Sequence, residues 1–237
     1  MFRIFIHLSY GLLTCALVFP WISMGRRNQL IQRWSRQLLG ICSVSVAQHG
    51  AQAALGHAMV VANHVSWLDI FVINALHPCR FVAKSEIRQW PILGTLAYKA
   101  GTVFIARGDR RDLRHIFKGL VASLHLGERI AFFPEGTTAA QGALLPFHAN
   151  LFEAAVDAKA LVQPFALRYV DDAGRVHHAV DFLGEMSFAE SLVDILSAPP
   201  IHAQLHCLAP LAADGAHRRE LAQAAQAAIG AALSHQA

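Results

Sequence analysis

The segment AMVVANHVSWLDIFVINA, residues 58–75, decides the fold class of this 237-residue chain. Its first five residues form a short apolar run of the kind found in buried strands. Residues 68–75 form an apolar segment that is long enough for a short helix. Between them, Ser66 and Asp69 match the capping-box pattern, which predicts that a helix starts at Trp67. A strand that leads through a short turn into a helix is typical of α/β proteins.

The same alternation extends over the rest of the chain, where apolar runs of strand length are separated by segments of helix length. The predicted strands are residues 41–47, 58–62, 80–83, 102–106, 129–133, 161–169, 176–182 and 201–208. The predicted helices are residues 68–75, 86–100, 111–126, 151–158, 188–196 and 217–233. A turn at Asp171-Asp172-Ala173-Gly174 is predicted to join the sixth and seventh strands into a hairpin. This order predicts an α/β fold with a mixed, mainly parallel sheet covered by helices.

His64 and Asp69 lie within the first quoted segment and supply a base with a carboxylate that can orient it. On one continuous helix, a separation of five residues would turn the two side chains about 140° apart, so His64 must lie in the turn before the helix. With 14 histidines and 9 aspartates in the chain, this spacing occurs by chance about 0.5 times, so the pair alone carries little weight. The alternative interpretation is that Asp69 only caps the helix and that His64 is an ordinary turn residue.

The composition indicates a protein that associates with membranes. Hydrophobic residues make up 54% of the chain and charged residues 15%, against a typical charged share of about 25%. The net charge of +4 suits an anionic lipid surface or a phosphorylated ligand. The sequence has no basic stretch with interleaved aromatic residues, so it does not indicate binding of nucleic acid. The four cysteines are far apart and form no C-x-x-C motif, so neither a zinc site nor a disulfide framework is predicted.

The amino terminus accounts for much of this hydrophobicity. Residues 4–25 contain no Asp, Glu, Lys or Arg, and as a helix they would span about 33 Å, enough to cross a bilayer core. Four arginines follow within residues 26–36 while only Arg3 precedes, which predicts attachment to the inner (cytoplasmic) membrane with the bulk of the chain in the cytoplasm. We therefore expect a membrane-docking segment with a basic flank over residues 1–40 and a catalytic domain over residues 41–237.

Two alternatives to a single spanning helix remain open at this stage. Pro20 and Trp21 fit equally well a helix pair, in which the chain enters the membrane shallowly and turns back along its interface. A cleaved signal peptide is the other alternative. It fits less well, because Thr14 stands where a lipoprotein cleavage box has a smaller residue and no A-x-A site follows.

Cationic side chains fall at the carboxyl ends of predicted strands, as His64 does. Lys84 and Arg107 each follow such a strand, and the carboxyl ends of strands in α/β sheets share the edge where ligands bind. A cluster of arginines can hold phosphate groups, although at least two of its four members are expected on a solvated helix face. The cluster consists of Arg107, Arg110, Arg111 and Arg114.

Four blocks of the sequence, taken in order, resemble the motifs of the glycerolipid acyltransferase family, whose best-known members are the 1-acyl-sn-glycerol-3-phosphate acyltransferases. The blocks are H-x-x-x-x-D at His64 and Asp69, G-x-x-F-I-x-R from Gly101 to Arg107, F-P-E-G-T from Phe133 to Thr137, and an apolar-x-P block at Pro164. The resemblance covers most of the chain between about residues 60 and 169, and the joint occurrence of the blocks is highly specific.

The resemblance implies roles for seven residues. His64 is implied to be the general base and Asp69 its orienting partner. Lys84 and Arg107 are implied to contact the head group of the acceptor, and Glu135, Gly136 and Thr137 to belong to the acceptor site. It also implies an amino-terminal membrane-docking element, which the composition indicates independently.

The chain departs from the family pattern at two places. Many members have arginine or lysine directly after the glutamate-glycine-threonine block, where this chain has Thr138, so a cation that binds phosphate is missing. In the following P-F-K-x-G pattern, His148 replaces lysine and Asn150 replaces glycine. Because Asn tolerates positive φ or caps a helix, the second change does not threaten the fold.

We therefore expect an enzyme that moves a fatty acyl group from an acyl thioester, either acyl-CoA or acyl carrier protein, to a lysolipid hydroxyl. The first acceptor to consider is 1-acyl-sn-glycerol-3-phosphate, which gives phosphatidic acid. Alternatives are a lyso-ornithine lipid as acceptor, a thioesterase or lipid hydrolase, and a lipid-binding protein without activity. No cofactor or metal is expected, because the histidines that suggest a metal site, His177, His178, His202 and His206, fit surface or packing positions on strands better.

Overall fold

A computed structural model of the chain describes residues 2–50, 56, 58–106 and 110–234, and for residues 110–113 the course of the backbone alone. The helices are α1 (Phe2–Leu17), α2 (Met24–Ile41), α3 (Leu68–Leu76), α4 (Leu93–Lys99), α5 (Arg110–His125), α6 (Phe152–Asp157), α7 (Phe188–Ser197) and α8 (Arg218–Ser234). The strands are β1 (Val44–Gly50), β2 (Ala58–Ala62), β3 (Arg80–Lys84), β4 (Val103–Ile105), β5 (Ile130–Phe132), β6 (Leu161–Val170) and β7 (Ile201–Cys207). Short 3₁₀ turns lie at Phe19–Trp21, Ser85–Gln89 and His178–Val180.

The seven strands form one mixed sheet in the order β1-β7-β6-β2-β5-β3-β4. Neighbouring strands are parallel except β6 and β7, which are antiparallel. All five residues of β2 are buried, which is why this strand has the continuous apolar sequence of a strand covered on both faces. The predicted α/β fold with a mainly parallel sheet is confirmed.

Two hydrophobic clusters cover the two faces of the sheet. One joins buried side chains of α2, α3 and α7 to the sheet, with Leu39 and Ile195 among its members. The other joins side chains of α5, α6 and α8, including Leu124, Phe152 and Ala225. The strands that carry the candidate site residues are therefore held between two packed layers, which fixes the positions of their carboxyl ends.

The amino terminus forms a helix pair, in line with the alternative suggested by Pro20 and Trp21. The buried stripe of α1 consists of Ile4, His7, Gly11 and Cys15. Trp34 of α2 stacks on the His7 ring at 4.4 Å, and its indole Nε1 donates a hydrogen bond to the His7 carbonyl at 3.2 Å. Residues Phe2–Trp21 form a segment that is long and apolar enough to cross a membrane by length and composition.

The face of α1 that points away from α2 is apolar and exposed. Its large side chains include Phe2, Phe5, Ile6, Leu13 and Leu17, which are between 51% and 76% exposed. Trp21, in the turn after α1, is 84% exposed. A row of large apolar side chains left outside the core is typical of surfaces that meet a membrane or another protein.

The predicted strand at residues 176–182 is wrong. Val176 makes only an isolated bridge with Val170, and His178–Val180 is a 3₁₀ turn. The reason lies at the edge of β6 that faces away from β7, where the Tyr169 carbonyl accepts from the His177 amide but the Tyr169 amide donates to Gln141 Oε1. The Gln141 side chain thus takes the place of the next hydrogen bond of a hairpin, and the ladder stops there. The turn at residues 171–174 is present, since the Asp171 amide donates to the Arg175 carbonyl at 2.8 Å.

Two other predicted elements differ from the structure. The helix predicted at residues 86–100 is split into a 3₁₀ turn and α4, because Pro91 cannot donate a helical hydrogen bond and Ile92 has a φ of +63°. The strand predicted at residues 41–47 begins only at Val44, because α2 continues through Ile41. The remaining predicted strands and helices are present with ends shifted by at most one residue.

Candidate active site

The predicted site residues converge on one edge of the sheet. β2, β3 and β5 run parallel to one another, and β6 runs parallel to β2. His64 follows β2 by two residues, Lys84 is the last residue of β3, and Glu135 follows β5 by three residues. Since parallel strands end at the same edge of a sheet, these side chains lie where α/β proteins bind ligands. Arg107, which follows β4 by two residues, lies outside the described residues.

His64 and Asp69 form a hydrogen-bonded pair. His64 Nδ1 lies 2.8 Å from Asp69 Oδ2, with the histidine side chain 19% exposed and the aspartate fully buried. Because the carboxylate accepts, Nδ1 carries the proton and Nε2 keeps its lone pair. The imidazole therefore has its accepting nitrogen available on a side chain that solvent or a substrate can reach.

The Asp69 carboxylate holds the turn as well as the imidazole. Oδ2 also accepts from the amides of Val65 at 2.8 Å and Ser66 at 3.0 Å, and Oδ1 accepts from the Tyr169 hydroxyl at 2.6 Å. The capping box predicted for Ser66 is only half formed, because within the described residues the Ser66 hydroxyl makes no hydrogen bond. The two interpretations of Asp69, helix-start stabiliser and histidine partner, therefore hold together.

Glu135 ties the block at residues 133–137 to the turn at His64. Its side chain is buried, and Oε1 accepts from the His64 amide at 2.7 Å while Oε2 accepts from the Leu145 amide at 2.8 Å. Burial raises the pKa of the Glu135 carboxyl, and the hydrogen bonds from the two amides oppose that rise. The Ala139 amide completes the link by donating to the His64 carbonyl at 2.8 Å. Glu135 thus fixes the backbone on which His64 is carried.

The rest of the glutamate-glycine-threonine block faces outward. Gly136 and Thr137 are exposed, and Gly136 has a φ of +70°, a conformation that favours glycine. The Gly136 amide donates to the Phe133 carbonyl at 3.1 Å, and a Cβ at position 136 would come within 3.3 Å of the His148 ring. The side-chain-free surface of Gly136 therefore leaves room beside the turn that carries His64.

Thr138, the residue that departs from the family pattern, is turned toward another segment of the chain. Its hydroxyl donates a hydrogen bond to the Phe182 carbonyl, and the Phe182 amide donates to the Val65 carbonyl at 3.1 Å. The segment after the predicted hairpin is thus attached both to the motif at residues 133–138 and to the turn beside His64. A neutral hydroxyl occupies the position that many family members give to a cation.

Sequence reasoning missed three side chains that shape the site. The Phe133 ring stacks on the His64 ring, with centroids 3.9 Å apart and planes 5° from parallel. Asn63 continues the ladder between β2 and β6 with its side chain, which both donates to the Leu167 carbonyl and accepts from the Leu167 amide. The third is Tyr169, the donor to Asp69 Oδ1. Phe133 and Asn63 stood inside the quoted motifs, but nothing in the sequence indicated their contacts.

The remaining cations and histidines take less central positions. Lys84 is exposed at the end of β3, and Arg114 is exposed on α5. Among the described residues, no group of three or more His, Cys, Asp or Glu side chains comes together as a metal site. His202 lies on β7 and contacts Asp172 at 2.6 Å. His177 and His178 are not on a strand, contrary to the prediction.

Comparison with known proteins identifies the family. Residues 44–168 match the sequence profile of the family described as Acyltransferase, and the chain belongs to this family. The resemblance inferred from the four blocks is therefore confirmed.

Individual relatives carry two different names. The chain is 50% identical to a 1-acyl-sn-glycerol-3-phosphate acyltransferase of Neisseria gonorrhoeae over an alignment of 117 residues. This alignment covers 49% of this chain and 46% of that protein. It is 38% identical to a lyso-ornithine lipid O-acyltransferase of Pseudomonas aeruginosa over an alignment of 207 residues. This second alignment covers 87% of this chain and 79% of that protein. The match to the Neisseria protein thus spans only about half the length of that relative.

A solved structure shares the fold over nearly the whole chain. The crystal structure of the 1-acyl-sn-glycerophosphate acyltransferase PlsC from Thermotoga maritima superposes with a TM-score of 0.71 at 18% sequence identity. The superposition covers 99% of this chain and 91% of that one. The chain therefore shares its fold with that protein.

Proposed function

We propose that this protein transfers a fatty acyl group from an acyl thioester to the hydroxyl of a lysolipid. The observation that carries the proposal is the 2.8 Å hydrogen bond between His64 Nδ1 and Asp69 Oδ2, in a chain that belongs to the Acyltransferase family. A partly exposed imidazole whose Nδ1 is held by a buried carboxylate is the arrangement that general-base catalysis requires.

In this mechanism His64 Nε2 takes the proton of the acceptor hydroxyl while the hydroxyl oxygen attacks the thioester carbonyl. Asp69 stabilises the imidazolium that forms, as the aspartate of a serine-hydrolase triad does. The tetrahedral intermediate then collapses, the carbon–sulfur bond breaks, and His64 returns its proton to the departing thiolate. The acceptor oxygen is itself the nucleophile, so no covalent acyl-enzyme is needed.

The other predicted site residues are assigned by their positions. Lys84 lies exposed at the end of β3, where its ammonium can meet an anionic group of the acceptor. Arg107 is proposed for the same role from its motif alone. Gly136 and Thr137 are exposed beside the His64 turn and are proposed to border the acceptor. Glu135 contributes to the acceptor site indirectly, because both of its oxygens already accept backbone amides.

A direct assay tests the proposed reaction. Purified protein in detergent is offered acyl-CoA or acyl carrier protein as donor, with lysophosphatidic acid and lyso-ornithine lipid as parallel acceptors, and the lipids are separated by mass spectrometry. Acylated lipid is the expected product. Free fatty acid without acylated lipid would replace the transferase by a thioesterase or lipid hydrolase. The donor that gives the higher kcat/KM identifies the co-substrate.

For the acceptor, we propose a lyso-ornithine lipid as the preferred substrate and 1-acyl-sn-glycerol-3-phosphate as the second candidate. Support for the first comes from Thr138, a neutral residue where many family members have a cation that can bind phosphate, and from the relative that aligns over 87% of the chain. Support for the second comes from Lys84 and Arg107, and from the relative with 50% identity over 117 residues.

Replacing Thr138 by arginine should shift the preference toward the phosphate acceptor. A guanidinium at this position can form charge-assisted hydrogen bonds with phosphate, so the ratio of kcat/KM for lysophosphatidic acid to that for lyso-ornithine lipid is expected to rise about tenfold. Thr138→Val is the matched control, because it also removes the hydrogen bond to Phe182 but adds no charge. An equal ratio in both variants would show that position 138 does not meet the head group.

We also propose that residues 1–40 dock the protein on the inner membrane and that residues 41–237 form the acyltransferase domain in the cytoplasm. The exposed apolar face of α1 supports docking, and the arginines after it support the orientation. Docking on the membrane also suits this reaction, because both substrates carry acyl chains and the site must exclude water.

Three substitutions on α1 test the docking. Phe5, Leu13 and Leu17 are all more than half exposed, so changing them to glutamate should leave the fold intact while releasing the protein from vesicles of anionic phospholipid in a flotation assay. The same three positions changed to alanine provide a control without added charge. Unchanged flotation of the glutamate variant contradicts docking through this face, and a fluorescent reporter at the carboxyl terminus, which matures only in the cytoplasm, tests the orientation.

A further inference from the structure

Tyr169 contacts the pair of His64 and Asp69 from a distant part of the chain. It lies near the carboxyl end of β6, is fully buried, and donates its hydroxyl hydrogen to Asp69 Oδ1 at 2.6 Å. Oδ2 of the same carboxylate accepts from His64 Nδ1 and from two backbone amides. Within the described residues, Tyr169 is therefore the sole partner of the oxygen that does not face the imidazole.

The hydroxyl of Tyr169 stays a donor over the whole range of functional pH. Burial, together with the adjacent negative charge of Asp69, raises the pKa of the Tyr169 phenol well above its usual value. A phenol that keeps its proton beside a carboxylate has one favourable arrangement, in which the O–H points at the carboxylate oxygen. The direction of this hydrogen bond is thus fixed.

The backbone around Tyr169 is held just as firmly. Its amide donates to Gln141 Oε1 at 2.7 Å, and its carbonyl accepts from the His177 amide at 3.0 Å. Gln141 closes the triangle, because its Nε2 donates to the His177 carbonyl at 2.9 Å. On the other side, β6 pairs with β7 at Tyr169 and Ala203. The phenol therefore projects from a strand whose position is set by the sheet and by the loop after the Glu135 motif.

We infer that Tyr169 is a positioning residue, which acts through Asp69 to set the orientation and basicity of His64. Its hydrogen bond fixes the plane of the carboxylate so that Oδ2 faces Nδ1. It also draws negative charge toward Oδ1, which moderates the attraction between Asp69 and the imidazolium. Without the phenol, Asp69 would hold the imidazolium more strongly, and a base that keeps its proton at higher pH is less available to the acceptor hydroxyl. The inference rests on the proposed acyl transfer for its catalytic consequence.

The test replaces Tyr169 by phenylalanine, which keeps the buried ring and removes one oxygen. We expect kcat to fall about tenfold, as for the loss of a hydrogen bond to a charged group, with the KM values of donor and acceptor changed by less than about twofold. The acidic limb of the plot of kcat/KM against pH should move to higher pH, by about half a unit. A role in packing alone would leave this limb in place.

Val170→Ala is the matched control, because Val170 is the next residue on β6, is buried and does not contact Asp69. It should lower the melting temperature at least as much as Tyr169→Phe and leave the acidic limb in place. If the acidic limb of kcat/KM lay at the same pH in wild type, Val170→Ala and Tyr169→Phe, the inference would be overturned.

A spectroscopic readout separates this inference from the proposed reaction. In ¹⁵N-labelled protein, the ring signals of His64 are identified by their absence from His64→Ala, and their titration midpoint is expected to be higher in Tyr169→Phe than in wild type. This shift is measured whether or not the protein forms acylated lipid. A wild type without product therefore refutes the proposed function alone, and an unmoved His64 midpoint refutes the role of Tyr169 alone.

Discussion

His64→Ala is expected to lower the rate of acyl transfer by about 10²–10⁴-fold, which is the usual contribution of a positioned general base. The imidazole carries the only accepting nitrogen that the pair with Asp69 leaves available, so no other group of the pair can take the proton of the acceptor. The loss should appear in kcat, because the substituted group acts on the transition state. The cost in stability is expected to be about 1 kcal/mol, from the lost stacking on Phe133.

His178→Ala provides a matched control for this substitution. His178 Nδ1 lies 2.9 Å from Asp181 Oδ2, so the chain contains a second histidine–aspartate pair of similar geometry, but the His178 side chain is 72% exposed. We expect its removal to leave kcat within about twofold. Steady-state kinetics of both variants, with circular dichroism to confirm folding, make the comparison. A folded His64→Ala protein with normal kcat would contradict the assignment of His64 as the base.

The sheet was predictable from sequence because its central strands are covered on both faces. A strand such as β2, in which every residue is buried, must be apolar throughout, and so it stands out as a short run between turn residues. The helix between β2 and β3 was likewise marked by its apolar length. These patterns are local in the sequence, so they can be recognised without any knowledge of the fold.

The predicted strand at residues 176–182 failed because of distant partners. Residues 176–182 have the composition of a strand, but on the edge of β6 that they would need, the Tyr169 amide donates to Gln141 and both backbone groups of Leu167 bond to the Asn63 side chain. The segment instead crosses to the turn beside His64, where the Phe182 amide donates to the Val65 carbonyl. No pattern within residues 171–182 records that side chains from other parts of the chain take these backbone groups.

In the site, too, contacts between residues close in sequence were predictable and contacts between distant residues were not. His64 and Asp69 are five residues apart, and helix geometry alone placed His64 in the turn before α3, where it is found. Tyr169 meets Asp69 across 100 residues of sequence, and Glu135 meets the His64 amide across 71. The sequence showed that Glu135 belonged to a motif, but it did not show that both carboxylate oxygens are used to hold backbone amides.

Asp69→Asn is the second substitution with a large expected effect, since it removes the charge while keeping the shape. The asparagine oxygen can still accept from the turn, and its amide can donate to the Tyr169 oxygen, so the fold should survive with a loss of about 1–2 kcal/mol. The oxygen that accepts from the turn also faces His64 Nδ1, so the tautomer is kept, but the imidazolium of His64 would lose its counter-charge. Because only the counter-charge is lost, we expect kcat to fall by about 10²–10³-fold, as for the loss of one electrostatic contact to a developing charge.

Asp69→Ala separates the structural from the chemical share of this residue. It leaves the buried amides of Val65 and Ser66 and the hydroxyl of Tyr169 without their acceptor, and each unsatisfied buried donor costs about 1–3 kcal/mol. Urea unfolding should therefore show a loss of at least about 3 kcal/mol for alanine, clearly more than for asparagine. If Asp69→Asn kept near-normal kcat while Asp69→Ala was unstable, Asp69 would serve the turn alone, because a carboxylate that supports an imidazolium cannot be replaced by a neutral amide.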